Sequence, residues 1–183
     1  MLRVRNIHET TEVLCIVNID SYVPISFRSR SQPIAGARYI RLGDFQRRLI
    51  EFQFPADSLV LSGFTMVSGE GSTHGTLMGD GPSAVGLPII SLPQGGAFSD
   101  SGGIPRLDIP TDVAASCTDG HAEVALGVAE AFNRRVVYGR VQFLLSDDVL
   151  VGLRVLELNK VEQRVLREYI AQHPHQGDLV RGR

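Results

Sequence analysis

Arg135-Val-Val-Tyr-Gly-Arg-Val-Gln-Phe-Leu-Leu145, then Ser146-Asp-Asp148, then Leu150-Val-Gly-Leu-Arg-Val-Leu-Glu-Leu158 is the stretch that decides the fold class. Both apolar runs are rich in β-branched and aliphatic residues, and the Ser-Asp-Asp between them has turn chemistry, so they read as the two arms of a hairpin. Directly after them the apolar period changes from two residues to about 3.6. Asn159 is a favoured N-cap, and Glu162 three residues on completes a capping box. Val161, Val165, Leu166, Tyr169 and Ile170 form one apolar face, with Lys160, Gln163, Arg164, Arg167 and Glu168 opposite. The spacing predicts a helix that ends near His173, because Pro174 disfavours helix at the residue before it. Residues 174–183 are expected to form a flexible polar tail.

Upstream, short apolar and alternating runs at 12–19, 22–28, 37–42, 49–54, 58–67 and 106–110 are separated by Pro, Gly and Asp. The small-residue run 122–129 fits strand or helix. This pattern predicts a mostly β chain with an antiparallel sheet, not βαβ units. Residues 69–103 hold ten of the 19 glycines together with Pro82, Pro88 and Pro93. They read either as a long connection or as glycine-rich hairpins. The expected organisation is an N-terminal β-subdomain (1–68), a Gly/Pro-rich connection (69–96), a C-terminal β-barrel with its helix (97–173) and the tail (174–183).

The 183 residues suffice for one medium domain or two small ones, and 43% hydrophobic with 21% charged residues excludes a disordered or fibrous class. A net charge of −2 supplies no broad positive field for a nucleic acid polymer. No apolar run approaches the roughly 18 residues of a membrane span, so no membrane insertion is expected. The first residues lack the pattern of a signal peptide, which predicts a cytoplasmic, bacterial-type protein. Cys15 and Cys117 are far apart, outside any metal-ligand spacing, and read as reduced buried thiols.

Seventeen of the 18 basic residues are Arg, and only Lys160 is Lys. Between Arg48 and Arg106 there is no basic residue at all. Arg28 and Arg30 alternate with serines and should leave one strand face. Arg38 and Arg41, Arg47 and Arg48, and Arg134 and Arg135 form further pairs, and Arg140 lies inside the strongest apolar run. Such pairs can clamp phosphate or stack on a base, or can simply replace Lys on a solvated surface.

Catalytic signals are weak. His173 and His175 lie beside Pro174, near Asp178, as solvated histidines. His74 follows Ser72 and Thr73 in a glycine cluster that lacks the Lys of a phosphate loop. Gly81-Pro-Ser-Ala-Val-Gly is one residue too long for a nucleophile elbow. Asp147 and Asp148 have turn chemistry and no source of desolvation. A non-enzyme without cofactor or metal is expected; a hydrolase built on His74 is the minor alternative.

Gly139-Arg-Val-Gln-Phe, a turn, Val151-Gly-Leu-Arg-Val-Leu-Glu-Leu and Glu162-Gln-Arg-Val-Leu-Arg-Glu-Tyr-Ile together resemble the end of a PilZ domain. Phe98-Ser-Asp-Ser-Gly-Gly-Ile-Pro-Arg-Leu is similar to that family's Asp-x-Ser-x-x-Gly segment. The resemblance covers about residues 97–172. It implies a small antiparallel barrel with a C-terminal helix and, as ligand, the second messenger cyclic di-GMP. It also implies that arginines of an Arg-x-x-x-Arg motif grip phosphate and stack on guanine, beside the Asp, Ser and Gly.

Asp100, Ser101 and Gly103 carry over with one residue missing between Asp and Ser. No Arg-x-x-x-Arg occurs in the chain, so Arg47 and Arg48 are the stand-ins. The expectation is therefore a PilZ-like regulatory module acting through a protein partner, with cyclic di-GMP left open as a ligand. The alternative is a β-rich assembly, scaffold or immunity-type interaction protein, homo-oligomeric and without a small ligand.

Overall fold

A computed structural model describes residues 1–10, 12–30, 36–68, 70–71, 77–128 and 131–173. In chain order these residues form β1 (Arg3–His8), β2 (Cys15–Asn18), β3 (Ile25–Ser29), β4 (Arg38–Gly43), β5 (Leu49–Phe54), β6 (Gly63–Ser68), β7 (Glu70–Gly71), β8 (Met78–Gly79) and β9 (Ser83–Val85). There follow β10 (Leu87–Ser91), β11 (Ser99–Ser101), β12 (Ile104–Pro110), β13 (Val113–Cys117), β14 (Ala122–Leu126), β15 (Ala131–Phe132), β16 (Arg134–Tyr138), β17 (Val141–Ser146), β18 (Val149–Val155) and the helix α1 (Lys160–Gln172). The chain is mostly β with one C-terminal helix among the described residues, as the change of period predicts.

One sheet runs β7-β13-β14-β18-β17-β16-β9, with β1 joined to β18 and β10 joined to β1, and curls into a half barrel. A second runs β11-β12-β4-β5-β6-β3-β2. β8 and β15 form a two-stranded ladder. The expected antiparallel pairing holds only in part. β4–β12, β7–β13, β9–β16 and β8–β15 are parallel, so both large sheets are mixed. Parallel neighbours need a long return of the chain, and each of these pairs joins segments far apart in sequence.

Sheet membership crosses the limits expected at 68 and 97. β1 pairs with β18 in the C-terminal sheet, while β11 and β12 extend the sheet built by β2 to β6. The 69–96 stretch supplies β10, whose Leu87 and Ile90 are buried. One continuous core lies between the sheets. Phe27 meets Tyr138 and Phe143 edge-on with ring centroids 6.0 Å away in both cases, and Phe64 lies at 5.5 Å. Ser29 and Tyr138 share a buried hydroxyl–hydroxyl hydrogen bond of 3.1 Å across the layers.

Three readings change. The 135–145 run is two strands, because Gly139 adopts φ +61° and turns the chain. A Cβ there would also stand 2.5 Å from Cys15 Sγ. The ambiguous 122–129 run contains the strand β14. β1 and β13 carry no alternation that predicts them: β1 is Arg-Val-Arg-Asn-Ile-His and β13 is Val-Ala-Ala-Ser-Cys.

The capping box forms as predicted. Asn159 Oδ1 accepts from the N–H groups of Val161 and Glu162 at 2.9 and 3.0 Å, and the Glu162 carboxylate accepts from Asn159 N–H at 2.8 Å. α1 rests on β13 and buries Leu166 and Tyr169. Val161, expected on the apolar face, sits in the first turn and is 60% exposed. Among the described residues no helix is long and apolar enough to cross a membrane.

Candidate functional site

The residues assigned by resemblance to a nucleotide fall in two places. Arg47 and Arg48 close the β4–β5 turn. Asp44 organises that turn: its Oδ1 accepts from the N–H groups of Gln46, Arg47 and Arg48 at 3.0, 2.8 and 2.9 Å. These bonds, led by that of Arg47, hold the Asp44 carboxyl far below the usual carboxylate range against the opposing effect of burial. The Arg48 guanidinium is shared between Asp44 and Asp112, each at 3.1 Å.

Asp100 and Ser101 belong to β11, with Asp100 exposed, and Gly103 at φ +78° turns the chain into β12. β4 and β12 run parallel, with Arg106 beside Tyr39 and Pro110 beside Gly43. Arg47 and Arg48 therefore stand at the C-terminal end of this strand pair and Gly103 at its N-terminal end. At ~3.3 Å per residue they are roughly 20 Å apart. The fold does not bring the two groups together.

Several of the other arginines face carboxylates. Arg41 forms a two-point fork with Asp108 at 2.7 and 2.5 Å. Arg3–Asp148, Arg135–Asp80 and Arg140–Glu162 pair at 2.8, 2.6 and 2.9 Å, and Arg167 pairs with Asp119. Arg38 lies over the Phe98 ring, 5.5 Å from its centroid. Arg28 and Arg30 are exposed on one face, as the alternation predicts. Asp148 anchors Arg3, and Asp147 at φ +55° accepts from Asn133 Nδ2 at 2.8 Å, so both acids serve the hairpin turn.

A buried constellation escapes the sequence reading. Glu123 is 3% exposed. Its Oε2 accepts from Arg154 Nε and Nη2 at 3.0 and 2.7 Å, and its Oε1 accepts from Leu77 N–H at 2.5 Å. Arg154 Nη2 also donates to the Leu77 carbonyl at 3.1 Å, so both backbone groups of Leu77 are held. The Leu77 side chain lies over Gly152, where a Cβ would stand 2.3 Å from Leu77 Cδ1. Phe132, Leu144 and Val151 complete a small second apolar cluster, with the Arg154 guanidinium 5.4 Å from the Phe132 centroid.

The signal available in the sequence was one acid in the apolar run 122–126 and one arginine in 149–155, which register alone sets opposite each other. Nearby, burial and then Arg154 push the His121 pKa down while Glu123 opposes them. Burial pushes the Cys117 thiol up. Chemically this arrangement fixes a backbone: among the described residues, none of the contacts to Glu123 or Arg154 comes from a nucleophile.

His173 stacks on Tyr169 with centroids 4.4 Å apart and terminates the helix. Ser72, Thr73, His74, Pro174, His175, Asp178 and the tail lie outside the described residues. Comparison of the chain with protein-family models and with curated proteins finds no match.

Proposed function

We propose that the chain is a non-enzymatic regulatory or binding module that acts through a protein partner, PilZ-like in the order of its C-terminal elements. In support, the β17–β18 hairpin is followed directly by a capped helix, the order that the resemblance implies. The observation that carries the reading is the separation of Arg47 and Arg48 from Asp100, Ser101 and Gly103 along β4 and β12. A cyclic di-GMP clamp needs guanidinium groups and the Asp-Ser-Gly segment to converge on one ligand.

Titration calorimetry with cyclic di-GMP is expected to give no binding heat. Sub-micromolar binding lost in Arg47→Ala or Arg48→Ala would overturn the reading. A β-rich assembly protein is the second reading, favoured by β2 standing at the outer edge of its sheet. It requires a stable homo-oligomer, which light scattering on the same sample reads.

A further inference from the structure

The outer face of the seven-stranded sheet carries positive charge that its own carboxylates do not balance. Ladder register sets its residues in rows. One row crosses β12, β4, β5, β6, β3 and β2 as Arg106, Tyr39, Gln53, Gly63, Arg28 and Ile16. The next is Asp108, Arg41, Glu51, Thr65, Ser26 and Asn18. In the second row Arg41 is forked to Asp108 and feels Glu51 as well. The first row holds no carboxylate. Arg30 continues the face two residues beyond Arg28, its N–H donating to the Leu14 carbonyl at 2.8 Å.

Four guanidinium groups thus share the face with two carboxylates. Among the described residues, Arg28, Arg30 and Arg106 have no carboxylate partner. Arg38 on β4 lacks one too, but alternation puts it on the opposite face from Tyr39 and Arg41, over the Phe98 ring, and Arg5, Arg134 and Arg164 lie elsewhere, on β1, β16 and α1.

Arg28 and Arg30 stand next to an open edge. Among the described residues β2 pairs with β3 and with no strand beyond it. An open edge presents backbone donors and acceptors that an extended chain can complete. The outward residues beside the two arginines are Leu14, which immediately precedes β2 and is 50% exposed, and Ile16 on β2, half-buried. A strand added there would lie about 10 Å from β3 at ~4.8 Å per strand, a gap that an arginine and a glutamate side chain span together. The net charge of −2 disfavours a nucleic acid polymer as the occupant.

Resting on the reading of a module that works through a protein partner, we propose that the partner docks as an extended acidic segment added to the β2 edge. Carboxylates on its alternate residues reach Arg28 and Arg30 across Leu14 and Ile16.

The probe is a fluorescein-labelled octapeptide, Val-Glu-Thr-Glu-Val-Glu-Thr-Glu, titrated against the whole chain by polarisation. Its lysine counterpart and a single-stranded DNA octamer are the controls. Saturable binding is expected for the acidic peptide alone. It should weaken at least about tenfold when salt rises from about 0.05 to about 0.3 M, and by a similar factor in Arg28→Glu with Arg30→Glu. Arg164→Glu on α1 should leave it unchanged, and N-methylation of the peptide backbone should abolish it. Circular dichroism identical to that of the parent verifies that the charge-reversed chain is folded.

Several outcomes overturn the proposal: no saturable binding, equal binding of either control, indifference to charge reversal, or indifference to N-methylation. A dimer that forms through this edge and is lost on charge reversal overturns it too. Tight cyclic di-GMP binding defeats the broader reading whatever the peptide does, whereas failure of the peptide alone removes only the docking site.

Discussion

A methyl group at Gly152 would collide with Leu77 and also press on the Val124 carbonyl oxygen 2.9 Å away, and the Leu77 contact links a glycine in the central hairpin to a backbone held by Glu123 and Arg154. Gly152→Ala should destabilise by about 1–3 kcal/mol through overpacking, and Leu77→Ala by about 2–5 kcal/mol through the cavity it leaves. Because the added methyl occupies space that the shortened side chain vacates, the double variant should cost less than the sum. Urea unfolding of the four proteins measures the coupling, and strict additivity would show that the two residues do not share one space. In the sequence Gly152 reads only as part of a Val-Gly-Leu strand, since its partner lies 75 positions earlier. Long-range steric fits of this kind leave no local signature.

The helix is the element most completely legible in advance, because a capping box is decided within four residues. Asn159→Ala should lower stability by about 1 kcal/mol in urea unfolding. Glu162 adds a pH dependence. Burial pushes its carboxyl up, but Arg140 and the Asn159 N–H outweigh burial and hold it below its ordinary 4.5. A carboxyl depressed in the fold stabilises above its unfolded value, and that contribution is lost as pH falls through the folded value. The stability difference between the parent and Glu162→Gln should therefore be full above 4.5 and shrink towards zero in stronger acid. An unchanged difference across that limb would refute the assignment. The hairpin arm at 135–145 was harder to read: Gly139 breaks an apolar run whose composition alone suggests one long strand. The arginine pairs were ambiguous for a related reason, since their partners Asp80, Asp108 and Asp112 are set beside them only by parallel ladders and turns.

At the scale of the molecule, the order of strands and helix was visible in the sequence, but their partnership was not. Alternation reports which face of a strand is buried and says nothing about which strand lies next to it. The four parallel pairings and the exchange of strands between sheets therefore leave no mark in the alternation. This topology predicts that residues 97–173 do not fold alone. That fragment lacks β4, the neighbour of β12, and β1, the neighbour of β18, and it loses the Phe27 contacts to Tyr138 and Phe143. Circular dichroism and amide exchange on the fragment should show an unfolded chain; a cooperative melt would mean that the C-terminal half is self-sufficient.

The placement of β1 also bears on how the chain is made. Its ladder partners β10 and β18 are translated long after it, β18 among the last of the strands. On the ribosome β1 therefore waits for β10 to emerge before its main ladder can form, and for β18 before its other edge is covered. The half-barrel closes only once the final hairpin is free of the exit tunnel, so the first strand made is among the last to be fully paired.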